Sequence, residues 1–197
     1  MTGKNILIVG VGGQGVVLAS NILADAALKA GFDVKKTDTL GMAQRGGSVV
    51  SHLRYGQSVA SPLIPQGEAD LLIAFEKLEA GRWAHFVKPG GVAVINDLAL
   101  PPLSVTLGSE SYPLDSELRA MLLTFTPNIH FVPGTAEAAS LGNPKMVNTV
   151  LLGYAARFLD ISHDIIMSTI EASLPEKLRK TNLAAFEKGR VLSAAQE

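Results

Sequence analysis

The 197-residue chain contains no cysteine, and this absence excludes several kinds of chemistry at once. Disulfide bonds, thiolate nucleophiles and zinc sites built on cysteine are ruled out. An iron–sulfur cluster is ruled out in its usual form, because cysteine thiolates are its ligands. The four histidines do not pair at the spacing of metal ligands on a helix, so we interpret them as surface or core residues. The sequence therefore predicts no metal site on this chain.

The chain also lacks a strong excess of charge and a long apolar run. Its formal net charge is −1 and its lysines and arginines are scattered, which argues against a surface that binds nucleic acid. No apolar run reaches the roughly 20 residues of a membrane span. An apolar run does follow Lys4, but the glycine-rich residues 12–15 interrupt it, unlike the apolar core of a signal peptide. We expect a cytoplasmic protein that binds neither nucleic acid nor membrane.

Short apolar runs alternate with segments of helical periodicity along most of the chain. The predicted strands cover residues 5–9, 32–37, 69–75, 92–96 and 129–132. The predicted helices cover residues 16–30, 76–86, 115–123, 134–141, 143–159 and 162–172. Residues 49–54 and 58–60 are predicted to form a short antiparallel addition, and residues 104–106 a further short strand.

This alternation predicts the fold class, an α/β, Rossmann-like, three-layer domain with a mostly parallel sheet over residues 1–160. The remaining residues, 161–197, have helical periodicity but no matching strand. We predict that they form extra C-terminal helices, an arm that packs either on this domain or on a partner subunit. The length of the chain suits one domain with such an arm.

A glycine-rich turn follows the first predicted strand and precedes the first predicted helix. Gly10, Gly12 and Gly15 match the spacing GxGxxG in this context, where helix N–H groups meet a phosphate. The alternative is that these glycines serve packing alone, since this fold hosts many functions. An NAD site also favours an acidic residue near the end of the second strand, where this chain has Lys35 and Lys36. The pattern therefore favours a ligand with more phosphate and less ribose recognition than NAD.

A second glycine-rich loop covers residues 41–48 and carries Gln44, Arg45 and Ser48. Glycine lets a backbone approach a ligand closely, and an arginine fork binds phosphate or carboxylate. This loop, the first glycine turn, Glu76 and Asn96 all follow predicted strands. Ligands of open α/β sheets bind beyond the carboxyl ends of the strands, so we expect these groups to converge on one edge.

The chain carries no recognised catalytic motif. There is no serine elbow, no P-loop ending in lysine and serine or threonine, and no zinc-protease helix. Glu76 and Glu79 form one suggestive pair, but at a predicted helix start they favour the helix dipole rather than acid–base chemistry. We predict no catalytic residue on this chain.

Several segments together resemble one family. They are residues 9–16 (VGVGGQGV), 41–49 (GMAQRGGSV), 61–64 (SPLI), 70–76 (DLLIAFE) and the later stretch that contains Gly142, Asn143, Asn148, Leu152 and Gly153. The chain resembles the small subunit of the 2-oxoacid:ferredoxin oxidoreductases, and GMAQRGGSV is similar in particular to the indolepyruvate branch, whose small subunit is called beta. The resemblance extends from the first strand to about residue 160.

The resemblance implies a division of labour between two chains. A large alpha subunit would carry thiamine diphosphate and iron–sulfur clusters, and would oxidatively decarboxylate a 2-oxoacid with coenzyme A. The products would be an acyl-CoA, carbon dioxide and reduced ferredoxin; in the indolepyruvate branch the substrates are aryl pyruvates from aromatic amino acids. The small subunit would help to bind coenzyme A and would form a heterodimer or higher hetero-oligomer with the large one. The absence of cysteine, and of a GDG motif followed by paired asparagines, agrees with this division.

The resemblance also implies roles for the two loops. The candidate CoA-binding residues are Gly10, Gly12, Gly13, Gln14, Gly15, Gln44, Arg45, Gly46, Gly47 and Ser48. The first loop would lie at the pyrophosphate or adenosine, and the second near the thiol arm or at the partner interface. Two other functions stay open, namely a stand-alone NAD- or flavin-binding enzyme and a non-catalytic scaffold subunit.

Overall fold

The computed structural model describes residues 3–40 and 47–193. The strands are β1 (Lys4–Val11), β2 (Asp33–Leu40), β3 (Ser48–Gly56), β4 (Ala69–Ala74), β5 (Val87–Asn96) and β6 (Asn128–Val132). The helices are α1 (Val16–Lys29), α2 (Lys77–Trp83), α3 (Leu103–Thr106), α4 (Asp115–Leu123), α5 (Gly134–Ser140), α6 (Val147–Ala155), α7 (His163–Ser173) and α8 (Glu176–Val191). Short 3₁₀ turns cover Ala84–Phe86, Pro144–Met146 and Ala156–Phe158.

The described strands form one sheet in the order β2-β3-β1-β4-β5-β6. The pairs β1–β4, β4–β5 and β5–β6 are parallel, whereas β3 is antiparallel to both of its neighbours. The other strands therefore run in one direction with β3 reversed among them. The predicted α/β class with a mostly parallel sheet is confirmed.

The prediction that residues 49–54 pair with residues 58–60 is wrong. These residues belong to β3, which is inserted between β1 and β2 and is buried along most of its length. The strand with alternating charges, β2, takes the sheet edge instead, where Asp33 pairs with Lys35 and Lys36 pairs with Asp38. Charged side chains suit an edge strand because they discourage further strand pairing.

Other predicted boundaries also change. Residues 104–106 belong to α3 and not to a strand, because Pro102 precedes them and its carbonyl accepts hydrogen bonds from Val105 N and Thr106 N at 3.0 Å. Proline is favoured at such a start and disfavoured inside a sheet. The predicted helices over 76–86 and 143–159 each contain an α-helical part flanked by a 3₁₀ turn.

Apolar side chains cover both faces of the sheet. Along β1, Ile6 and Ile8 face the core that contains α1, α6, α7 and α8, while Leu7 and Val9 face the core that contains α2 and α4. This alternation follows from the two-residue period of a strand. The predicted three layers are confirmed. The helices α7 and α8 pack against α1 and α6 of the same chain, and the division of the chain at residue 160 stays a prediction.

Candidate functional site

The glycine turn and the end of the second loop lie together at the edge formed by the carboxyl ends of the parallel strands. Val11, the last residue of β1, is opposite Ser48, the first residue of β3. The Gly12 N–H donates to the Gly47 carbonyl at 2.9 Å. The predicted convergence is therefore confirmed for these residues. The predicted site residues Gln44, Arg45 and Gly46 lie outside the described residues.

The glycine turn leaves the amino end of α1 open. Gly13 and Gly15 have φ values of 100° and 88°, a left-handed conformation that favours glycine. Gly15 is the N-cap of α1, and among the described residues no side chain caps the first turn. The first amide N–H groups of a helix have no partner within it and carry a partial positive charge. This end of α1 can therefore attract an anion.

Two of the predicted site residues, Gln14 and Gly10, make contacts that stabilise the turn itself. The Gln14 side chain accepts a hydrogen bond from Val11 N at 2.7 Å through Oε1 and donates to the Phe75 carbonyl at 3.2 Å through Nε2. A Cβ on Gly10 would lie within 2.9 Å of Phe75 Cβ and Val16 Cγ2. These contacts give Gln14 and Gly10 a clear structural role, which is to attach the turn to β4 and α1.

Glu76 is the N-cap of α2, so the predicted position of the two glutamates at a helix start is correct. Its Oε2 accepts from Glu79 N at 2.9 Å, and its Oε1 accepts from Leu100 N at 3.0 Å and from the Tyr112 hydroxyl. Burial raises the pKa of Tyr112 well above its usual range, and the hydrogen bond to Glu76 raises it further. The Glu76 carboxylate, 1% exposed, thereby holds the segment that follows β5 against α2.

Glu79 joins α2 to the second loop. Its side chain is 3% exposed, and it accepts hydrogen bonds from Ser48 Oγ at 2.5 Å and from Arg82 at 2.6 Å. Sequence reasoning named Ser48 as a site residue but missed its partner, because only the folded sheet brings residues 31 positions apart into contact. Glu79 thus fixes the point at which the second loop enters β3.

The end of β5 is also held by polar contacts. Asn96 is completely buried, its Nδ2 donates to the Phe75 carbonyl at 3.1 Å, and its Oδ1 accepts from Thr135 N at 3.1 Å. Burial tends to lower the pKa of Lys77, but pairing with Asp115 at 2.8 Å and with Asp97 at 3.1 Å outweighs it and raises that pKa. These contacts stabilise the strand ends that surround the glycine turn.

A cleft of about 460 Å³ begins at Val11 and Gly12. It continues along α2, and the segment around Leu100 and Leu103 forms its opposite wall. Glu76, Glu79 and Arg82 supply its charged part. The candidate site is therefore an open helix N-terminus beside a cleft that is largely apolar on one side.

Two more residues bear on the ligand. Asp38 accepts hydrogen bonds from Ser51 Oγ at 2.6 Å and from Lys36 Nζ at 2.5 Å on β2, which β3 separates from β1. It does not supply the free acidic group that a ribose would need next to β1. Asn148, which sequence reasoning did not name as a site residue, lies over the turn, and its Nδ2 is 2.9 Å from the position of a Cβ on Gly15. Its signal in the sequence is a polar residue inside an apolar helical run.

The described residues contain no group of histidine, aspartate and glutamate side chains that could hold a metal ion. Across the same residues, no helix has the length and apolarity needed to cross a membrane.

The sheet and the glycine turn at its edge define a Rossmann-like α/β domain, and comparison with known proteins gives the family. Residues 5–192 match the family model described as pyruvate ferredoxin/flavodoxin oxidoreductase. The chain belongs to this family, as the sequence predicts.

Individual relatives agree with the family. Indolepyruvate oxidoreductase subunit IorB of Thermococcus kodakarensis is 36% identical over 196 residues, which are 98% of this chain and 96% of that protein. The subunit of the same name from Archaeoglobus fulgidus is 39% identical over 189 residues, 94% of this chain and 92% of that protein. Over nearly its full length the chain is thus similar to subunits of oxoacid oxidoreductases.

A solved structure has the same fold. It is a 2-oxoglutarate:ferredoxin oxidoreductase from Magnetococcus marinus, solved with 2-oxoglutarate, coenzyme A and succinyl-CoA bound. The TM-score is 0.74 at 20% identity, and the match covers 100% of this chain but 32% of that one. The same fold therefore occurs there as one part of a longer chain.

Proposed function

We propose that the chain is the small subunit of an indolepyruvate:ferredoxin oxidoreductase. In this reaction an aryl pyruvate loses carbon dioxide, the remaining acyl group forms a thioester with coenzyme A, and two electrons pass to ferredoxin. The observation that carries the proposal is the 36–39% identity, over nearly the full chain, to two proteins named indolepyruvate oxidoreductase subunits. The resemblance of the segment GMAQRGGSV to the same branch agrees with it.

The role proposed for this chain is to bind part of coenzyme A. The open amino end of α1, with Gly13 and Gly15 in left-handed conformations, suits the phosphate groups of that ligand. A helix N-terminus binds phosphate through its unpaired N–H groups and its dipole. Gly10, Gly12 and Gln14 shape this turn, and Arg45 adds a cation to the neighbouring loop of the sequence.

The cleft beside the turn suits the rest of the same ligand. It starts at Gly12 and passes Leu78, Leu100 and Pro101, so that an amide-and-methylene arm would find apolar contacts along it. The pantetheine arm would then run from the phosphates at α1 toward the reacting centre on the other subunit. Gln44, Gly46, Gly47 and Ser48 would lie near this arm or at the interface.

We propose that the large alpha subunit covers the segment between residues 100 and 125. Of the large apolar side chains that are exposed in the chain, many belong to this segment: Leu100, Leu103, Leu107, Leu114, Met121, Leu123 and Phe125. Leu107 is 74% exposed and Leu103 is 71% exposed. Concentrated apolar exposure of this kind marks an interaction surface, and Leu103 also lines the cleft.

In this proposal the thiamine diphosphate and the iron–sulfur clusters lie on the large subunit. A chain without cysteine has no thiolate to offer a cluster. Carbon–carbon cleavage and electron transfer would therefore occur on the partner, and this chain would supply binding and closure of the active site in the cytoplasm. We expect the isolated chain to be inactive.

An anaerobic pull-down of the tagged chain from its native cells tests the proposal. The eluate is assayed for dye reduction that depends on both coenzyme A and a 2-oxoacid, with indolepyruvate, phenylpyruvate, pyruvate and 2-oxoglutarate compared. We expect a brown large chain to co-purify, and activity to be highest with the aryl pyruvates. A brown complex that prefers 2-oxoglutarate or pyruvate would overturn the proposed branch. A colourless, solitary chain would overturn the subunit assignment and favour a free-standing nucleotide-binding protein.

A further inference from the structure

The side chain of Asn148 occupies an unusual place for an amide. It belongs to α6, a helix in which every residue is buried, and it is itself only 4% exposed. Its neighbour across the fold is Gly15, the N-cap of α1, and not another apolar helix face. A buried amide requires hydrogen-bond partners, because an unpaired polar group in the interior costs free energy.

The orientation of this amide is fixed by the hydrogen bond that its oxygen accepts. Asn148 Oδ1 accepts the Thr149 N–H at 2.9 Å, and an amide nitrogen could not take that role. The atom that faces Gly15 must therefore be Nδ2, a donor. Thr149 is held in turn, since its Oγ1 donates to Asn182 Oδ1 at 2.8 Å and Asn182 Nδ2 donates to the Leu178 carbonyl at 2.9 Å. The direction of the Asn148 side chain is thus set by contacts between α6 and α8.

Asn148 Nδ2 donates to no acceptor among the described residues, whereas Oδ1 accepts from Thr149 N and from Thr149 Oγ1. The described residues also contain no completely inaccessible side-chain nitrogen or oxygen without a partner. Nδ2, unpaired within the described residues, points at the turn, where it lies 2.9 Å from the position of a Cβ on Gly15. Within the part of the chain that the structure describes, a donor without an acceptor thus faces the uncapped first turn of α1.

We propose that Asn148 Nδ2 and the uncapped N–H groups of α1 form one anion subsite, which binds a phosphate of the coenzyme A diphosphate. This inference rests on the function proposed above. The helix end supplies a partial positive charge, and the amide supplies a directed donor from a second helix. There are two reasons why residue 15 is glycine. A Cβ would be strained at φ 88°, and it would also lie 2.9 Å from Asn148 Nδ2.

The substitution Asn148→Asp isolates the donor. It keeps an oxygen for Thr149 N and replaces the NH₂ group with an oxygen that repels a phosphate. In the complex of both subunits we expect the KM for coenzyme A to rise at least tenfold while kcat changes little, since a charge-assisted hydrogen bond is lost. Pantetheine, used as the alternative thiol substrate, has no diphosphate, so its KM should not change. Asn143→Ala is the matched control, because Asn143 caps the nearby 3₁₀ turn through Lys145 N and is expected to leave both KM values unchanged.

The outcomes separate this inference from the proposed function. If Gly13→Val raises the KM for coenzyme A but Asn148→Asp does not, the subsite is wrong and the CoA-binding role survives. If neither variant changes that KM, both fail. An equal rise for coenzyme A and pantetheine would also overturn the subsite, because it would indicate a general distortion of the site.

A second measurement applies if the aspartate variant does not assemble. Asn148→Ser is a smaller change with a hydroxyl that is too short to reach the same position. Inorganic diphosphate should inhibit the wild-type complex competitively against coenzyme A, and its inhibition constant should rise in the serine variant. An unchanged inhibition constant, or no competition in the wild type, would overturn the subsite.

Discussion

Ser48 Oγ donates a hydrogen bond to the buried carboxylate of Glu79 at 2.5 Å, which joins the first residue of β3 to helix α2. The bond crosses the edge of the sheet at which the two glycine-rich loops meet. It fixes the end of the second loop next to Gly12, whose N–H donates to the Gly47 carbonyl. The site is therefore held by side-chain contacts between elements as well as by the sheet.

Removing this hydroxyl should destabilise the chain. Ser48→Ala leaves Glu79 with Arg82 as its remaining side-chain donor among the described residues, and we expect the free energy of unfolding to fall by about 1.5–3 kcal/mol, as for other bonds to charged groups. Urea denaturation of the purified chain measures this change in the free energy of unfolding. Ser140→Ala is the control, because the exposed Ser140 donates its hydroxyl to the Glu137 carbonyl of its own helix and not to a charged group of another described element. Equal losses in the two variants would show that the contact with Glu79 adds nothing.

The stability of the chain should fall in mild acid through His52. Burial lowers the pKa of this imidazole below its usual 6.5, and its Nδ1 accepts the Ile64 N–H at 3.2 Å. Below pH 6.5 His52 is therefore protonated more readily in the unfolded chain than in the folded chain, so acid favours unfolding. The stabilisation is present above that pH and is lost as the pH falls through and below it.

The substitution His52→Asn tests this dependence, since Oδ1 of asparagine can replace Nδ1 as the acceptor. We expect the variant to lose less unfolding free energy than the wild type between about pH 7.5 and about pH 5.5. The pKa of His130 shifts in the same direction, because it is half-buried and near Arg157, so part of the acid sensitivity should persist. An identical pH profile in the two proteins would contradict the role of His52.

The proposed subunit interface makes a separate prediction. Leu107 is 74% exposed, so Leu107→Asp should change the unfolding free energy of the chain by no more than about 0.5 kcal/mol. In the assembled enzyme the same side chain would be buried, and an unpaired carboxylate there is costly. We expect the large subunit to be lost from the pull-down. Leu28→Asp, on α1 and 56% exposed, is the control and should retain it; the opposite pattern would move the interface to the face of α1.

The fold was predictable where one pattern determined one element. The run from Ile6 to Val9 is apolar on both sides and ends in glycine, so a buried strand followed by a turn was the expected outcome. The position of β3 was not predictable, because Ser51 and His52 interrupt its apolar pattern and its burial depends on two neighbours. The close contact of α6 with α8 was not predictable either. It depends on Gly189, because a Cβ there would lie 1.9 Å from the Val150 carbonyl oxygen.

The candidate site divides in the same way. The glycine turn was predictable, because its residue types and spacing are local to one strand and one helix. The partner of Ser48 and the position of Asn148 were not, since each contact joins residues that are far apart in the sequence. What sequence reasoning missed is therefore the set of side chains that the tertiary fold brings to the turn.

The central claim is that the glycine turn of this chain binds coenzyme A in an enzyme completed by another subunit. The most direct test is the KM for coenzyme A of the assembled complex carrying Gly13→Val. A Cβ on Gly13 meets no atom of the described residues within 4 Å, so the added side chain would fill the space left for the ligand, and its cost within the chain is the backbone strain of a side chain at φ 100°. Gly31→Val is the matched control, since Gly31 has a φ of 87°, equally open surroundings and a position at the far end of α1.

We expect Gly13→Val to raise the KM for coenzyme A severalfold and to leave the KM for the aryl pyruvate unchanged, whereas Gly31→Val should leave both unchanged. If both KM values of an assembled Gly13→Val complex equal those of the wild type, the turn does not bind coenzyme A, and the chain is a scaffold subunit.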